Sequence, residues 1–218
     1  MFKNALIALV LSVSSLMAYS FTCFPPMTEK GAFAVNPAFF ADNNNSGGVE
    51  TFLYYGLTEK SDFCSSILTV NGSSNFSVMY RHSFGSLLNA GLRMNTSWAT
   101  PQFNLNWENK SFIFQSCVAS QVTYDYSDKP AIYGVFCPGY KFSDNINICC
   151  DINPGYYLQD GDFANLWVRA KGFGLDVAPS IGFMVGQAVF SIALPIYDIT
   201  NESTVTFGAW VYYSIKGK

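Results

Sequence analysis

The stretch Asn89-Ala90-Gly91-Leu92-Arg93-Met94-Asn95-Thr96-Ser97-Trp98 decides how the chain is read. Ala90, Leu92, Met94, Thr96 and Trp98 take alternate positions, and Asn89, Gly91, Arg93, Asn95 and Ser97 fill the places between them. Successive side chains of a strand point to opposite faces, so the stretch predicts one apolar face and one polar face.

The same split recurs to either side. Phe103, Leu105 and Trp107 alternate with Gln102, Asn104, Asn106 and Glu108. Phe76, Val78 and Tyr80 alternate with Ser77 and Arg81. Ile146, Ile148 and Ile152 alternate with Asn147, Asp151 and Asn153. In the last segment Val205, Phe207, Ala209, Val211, Tyr213 and Ile215 share a face opposite Thr204, Thr206 and Ser214. Strands are predicted over 31–40, 49–58, 62–71, 74–83, 89–98, 102–108, 111–124, 131–142, 145–158, 164–184, 188–196 and 203–215. Most approach the ~9–11 residues that a tilted membrane strand needs. The segment 164–184 is overlong and its apolar parity shifts near Gly172, which predicts either a bulge or two strands run together.

Composition explains why the apolar faces need not meet in a water-soluble core. Half of the 218 residues are hydrophobic, 17% are aromatic and 12% are charged. Soluble domains usually carry roughly 25% charged residues. The net charge of −3 leaves no basic footprint, which argues against nucleic acid as a partner. The N-terminus reads as an export leader: Lys3, an apolar run from Ala5 to Leu16, then Ala18-Tyr19-Ser20 before a cleavage point at Phe21. Residues 1–20 are therefore expected to be a signal peptide and 21–218 the mature domain. An uncleaved anchor is the alternative, but the run is shorter than the ~20 residues of a spanning helix.

Two features separate a membrane barrel from a soluble sandwich or a lipocalin-like binder. Aromatic residues mark the ends of many apolar faces: Phe39, Phe40, Tyr54, Tyr80, Trp98, Trp107, Tyr124, Tyr126, Tyr140, Tyr156 and Tyr213. Interfacial aromatic girdles are a habit of membrane barrels. Short connections such as Glu59-Lys60-Ser61 and Ser143-Asp144 alternate with longer polar ones such as 41–48 and 125–130. The expected fold is all-β: an antiparallel up-and-down transmembrane β-barrel of about twelve strands, with ten to fourteen as the range.

The polar faces carry Glu50, Arg81, Arg93, Asp151, Arg169, Lys171 and Asp176, the candidates for the barrel interior. Arg81 and Arg93 are expected close together across one hairpin. Inward charges either set an ion preference or form a salt-bridge network that fills a narrow lumen. Six cysteines in an exported chain suggest disulfides. Parity puts Cys117, Cys137 and Cys149 on the inner face and Cys150 outside. Register arguments set Cys137 opposite Cys117 on one side and opposite Cys149 or Cys150 on the other, so one disulfide among the inner three is a candidate. Cys23 and Cys64 are a weaker second pair. No CxxC and no neighbouring His point to a metal, and no cofactor is implied.

The single histidine, His82, stands next to Ser83, and adjacent strand residues face opposite ways, so a Ser–His catalytic pair is not expected. Six Asn-x-Ser sequons, at Asn44, Asn71, Asn75, Asn95, Asn109 and Asn201, are the chance yield of an Asn- and Ser-rich chain.

The last strand contains Thr206-Phe207-Gly208-Ala209-Trp210-Val211-Tyr212-Tyr213. Thr206, Gly208, Val211 and Tyr213 make it resemble the C-terminal signal of bacterial outer-membrane barrels, although the chain ends in Ile215-Lys216-Gly217-Lys218 and not in an aromatic residue. The stretch Tyr55-Gly56-Leu57-Thr58-Glu59-Lys60-Ser61-Asp62-Phe63 resembles a strand-turn-strand of small porin-like transporters and aromatic-degradation-pathway outer-membrane proteins. The resemblance implies an outer-membrane location, contact with membrane lipids, delivery by the barrel-assembly machinery, and a passive pore for ions or small solutes rather than an enzyme. A non-conducting structural or adhesion barrel is the alternative.

Overall fold

Every strand of a membrane-crossing wall needs a hydrogen-bonding neighbour on both sides, because apolar surroundings offer no water to an open edge. The computed structural model meets that demand by closing the sheet on itself. It describes residues 27–42, 47–70, 72–123, 130–158, 161–163, 167–169, 171–186, 188–200 and 204–215. The leader and Cys23 lie outside these residues.

The strands in chain order are β1 (Phe33–Asp42), β2 (Gly47–Thr58), β3 (Ser61–Val70), β4 (Ser73–Ser83), β5 (Leu88–Met94), β6 (Trp98–Glu108), β7 (Phe112–Thr123), β8 (Ala131–Ser143) and β9 (Ile146–Tyr157). They continue as β10 (Gly161–Phe163), β11 (Trp167–Arg169), β12 (Gly172–Val185), β13 (Ala188–Ala193), β14 (Ile196–Tyr197) and β15 (Thr204–Ile215). β1 to β9 pair in sequence, β9 pairs with β12, and β13 and β14 both lie between β12 and β15. β15 then pairs with β1, from Phe33↔Ile215 to Asp42↔Thr206, and the wall is closed. Since β13 and β14 share one place, the wall has twelve strands, all antiparallel.

Two departures from the sequence reading have local causes. The predicted strand 164–184 is two elements: β10 and β11 form a separate small hairpin, and only β12 enters the wall. The break falls at Gly172, whose φ of 118° is accessible to glycine and costly for other residues. The predicted strand 89–98 stops at Met94, where Asn95 turns the chain. Its side-chain Oδ1 accepts the backbone N–H groups of Ser97 and Trp98, both at 2.8 Å. Trp98 therefore opens β6 and points inward, 6% exposed, instead of joining an outer aromatic rim. Tyr54 is likewise inside. Tyr124 and Tyr126 lie outside the described residues.

Prolines sit within this wall although proline cannot donate to a ladder. At Pro37 the β1–β15 pairing skips from Val35 to Ala38. The Asn36 side chain fills the gap by donating to the Val211 carbonyl at 2.8 Å. Between β13 and β14 the carbonyl of Pro195 accepts the Thr206 N–H at 2.8 Å, so the interruption costs the wall little.

The two faces of the wall are chemically opposite. Ile67, Phe76, Phe103, Val122, Ile132 and Phe173 are each more than half exposed on the outside. Ser66, Ser77, Gln102 and Gln121, one residue away, are buried inside. Monomers in water rarely expose such continuous apolar surface. Tyr55, Trp107, Phe112, Tyr140, Phe142 and Tyr213 crowd the exterior near the end where β1 begins and β15 ends.

Candidate functional site: the barrel interior

The interior is built from the inward half of each alternation, and its charged part lies on β2 to β5. Asp62 and Arg81 face each other directly across the β3–β4 pairing. Arg81 donates from Nε to Asp62 Oδ1 at 2.9 Å and from Nη2 to Oδ2 at 2.5 Å. This is a bidentate pair with side chains 1% and 0% exposed. The guanidinium also lies over the Tyr54 ring, 5.2 Å from its centroid.

A second network sits beside it. Arg93 on β5 pairs with Glu50 on β2, reaching past β3 and β4. Its Nε donates to Ser77 Oγ at 2.8 Å and its Nη2 to Ser66 Oγ at 2.9 Å. The Ser66 hydroxyl donates in turn to Glu50 Oε1 at 2.8 Å. Phe52 and Trp98 cover the guanidinium, with ring centroids 5.3 and 5.5 Å away. Unlike the first pair, Arg93 and Glu50 keep 19% and 15% of their side-chain surface accessible. They are the part of the network that a solute inside the barrel meets.

Arg81 and Arg93 are not directly opposed: Arg81 pairs with Gly91, and Arg93 with Met79. Each guanidinium has its own carboxylate. Asp62 is absent from the sequence-derived candidates, although a signal for it exists. Asn-Gly is a strong hairpin turn, and a turn centred on Asn71-Gly72 places Asp62 opposite Arg81.

The other wall is acidic and sulfur-rich. Asp151 on β9 is fully buried and Asp176 on β12 nearly so. Asp176 Oδ1 accepts the Asp198 backbone N–H at 2.8 Å. Cys117, Cys137 and Cys149 are buried on the inner side of β7, β8 and β9, and Cys150 is partly exposed. All five described cysteines are free thiols, so the expected disulfide among the inner three is not present. Register explains why none of them faces another. Cys137 pairs with Gln115, Cys117 with Val135, and Cys149 with Gly139. A slip between Lys141 and Ser143 displaces the β8–β9 pairing that a simple turn predicts.

Arg169 and Lys171 do not belong to the wall. Arg169 ends the small β10–β11 hairpin, and Lys171 is exposed in the connection before β12. Among the described residues, Glu50, Asp62, Asp151 and Asp176 face the lumen together with Arg81 and Arg93, an acidic balance. Lys141 and Glu108 form an ion pair near the end where β1 begins and β15 ends. His82 lies beside Phe84, 5.1 Å between ring centroids, with Arg81 next to it pointing inward. In β15 Thr206 and Gly208 are buried and Tyr213 is exposed. No group of three or more His, Cys, Asp or Glu fit to hold a metal ion occurs among the described residues.

No protein-family model and no curated protein sequence matches the chain. Solved structures do match it. The NanC porin superposes with a TM-score of 0.64 at 13% identity, over 83% of this chain and 98% of its own. The KdgM porin does so with a TM-score of 0.62 at 7% identity, over 84% and 99%. An outer membrane channel from Pseudomonas putida F1 gives 0.58 at 7% identity, over 88% and 100%. At such identities the likeness is one of fold: the closed twelve-stranded barrel of this chain is similar to the folds of those two porins and that outer membrane channel.

Proposed function

We propose that the chain is a narrow passive pore of the bacterial outer membrane, for ions or small solutes. The observation that carries this reading is the inversion of the wall: lipid-compatible outside, polar and charged inside, with the Arg93–Glu50 pair still accessible. A β-barrel that hid only a structural core would have no use for accessible charge there. The fold shared with porins supports the same reading.

Charge narrows the solute class. One of the similar structures is the KdgM porin in complex with disordered oligogalacturonate, a polyanion. Here each inward guanidinium is already engaged by a carboxylate, Arg81 by Asp62 and Arg93 by Glu50. The acidic balance of the lumen therefore favours cations and neutral solutes over polyanions. We assign the leader 1–20 to export, the exposed apolar belt to membrane lipid, and Thr206, Gly208, Val211 and Tyr213 to reading by the barrel-assembly machinery.

Solute efflux from proteoliposomes tests the proposal. Vesicles holding the folded protein should release small ions and neutral sugars faster than protein-free vesicles, and retain oligosaccharide polyanions. Equal release rates with and without folded protein would sink the pore.

A further inference from the structure

The chain ahead of β1 does not simply lead away from the barrel. Thr28 is 5% exposed, and its backbone N–H donates to Asp62 Oδ2 at 2.9 Å. Asp62 faces the lumen, so Thr28 is inside. Further along, the Gly31 N–H donates to the Gly56 carbonyl at 2.8 Å, and the Gly56 N–H donates to the Ala32 carbonyl at 3.1 Å. Lys30 thus bridges Gly56 in parallel, against the antiparallel rule of the wall. Gly56 is on the inner face, two residues beyond the buried Tyr54. A Cβ there would overlap the Glu29 carbonyl group and come within 2.7 Å of the Thr28 carbonyl oxygen. The segment therefore crosses the inner side of β2 at a position that carries no side chain.

We infer that residues 27–31 form an inward strap that narrows the mouth at the end where β1 begins and β15 ends, with the Asp62–Arg81 pair as its anchor and Gly56 as its seat. The ion pair then has a second task. Asp62 holds Arg81 with both oxygens and spends the remaining capacity of Oδ2 on the strap. A strap held by one charge-assisted bond and a short run of backbone bonds is releasable without disturbing the wall. The inference rests on the pore reading, because narrowing has meaning only where something passes.

Gly56→Ala tests the strap while leaving the ion pair alone. Alanine is compatible with the strand backbone at 56, whose φ is not positive, so the added methyl acts on the strap. A reporter cysteine at Thr28 is probed by site-resolved labelling with a membrane-impermeant maleimide, with and without Gly56→Ala. Single-channel conductance is recorded for Gly56→Ala and for wild type. A second route is the double variant Asp62→Asn, Arg81→Gln, which removes the anchor without stranding a buried charge. Heat-modifiable gel migration checks folding of each. The expected result is a slow-reacting Cys at 28 that reacts at least tenfold faster in either variant, with conductance raised at least twofold. Equal labelling rates would overturn the strap. Faster labelling with unchanged conductance in a conducting protein would overturn the narrowing. If no variant conducts, the pore reading falls, and the labelling rates alone then uphold or overturn the anchored strap.

Discussion

At the scale of single residues, the interior depends on Asp62 and Arg81 together. Either partner alone is a buried charge without its counter-ion, and such losses cost about 3–5 kcal/mol. Asp62→Asn should therefore lower the urea midpoint of the barrel in detergent by an amount equivalent to that loss. Glu50→Gln, at a partly accessible pair, should cost much less. Equal midpoints for wild type and Asp62→Asn would contradict the buried pair. Arg93, Asp151 and Asp176 stand between apolar neighbours, and Arg81 and Glu50 each beside one, which is why parity set them on the polar face. Asp62 was not, because it stands one residue from the Glu59-Lys60 turn, where charge is expected for solvation alone. The thiols were legible in face and not in partner. A slip in the β8–β9 register is set by backbone geometry that alternation does not record.

At the scale of elements, alternation found the wall and failed where the chain stops alternating. Asn95 ends β5 by capping with its side chain, and the parity of 89–98 runs across that turn without a visible break. Trp98 was assigned to the wrong face for this reason. Around 164–184 the sequence continues apolar through a hairpin that leaves the wall, and only the parity shift at Gly172 betrayed it. Pro37 and Pro195 argue against central strands until their ladder gaps are seen to be filled by Asn36 and the Pro195 carbonyl. The clearest strand is β6, where Phe103 lies at mid-wall and outside. Phe103→Arg puts a charge against lipid hydrocarbon and should destabilise the folded barrel in bilayers by about 2–4 kcal/mol. Its effect in mild detergent should be smaller. A neutral outcome in bilayers would place Phe103 away from lipid.

At the scale of the molecule, the chain inverts a soluble protein: apolar outside, charged within, with every strand paired because the sheet closes. The inward carboxylates outnumber the inward guanidiniums among the described residues, and Arg93 on β5 reaches Glu50 on β2 inside the barrel. What passes through is then decided by charge and width together. Solute identity was never legible in the sequence, since it depends on which inward groups are spent on one another. Recording from planar bilayers under a salt gradient, with protein shown folded by heat-modifiable migration, tests this account most directly. It predicts stepwise currents whose reversal potential lies on the cation side. Silence from folded protein would contradict it.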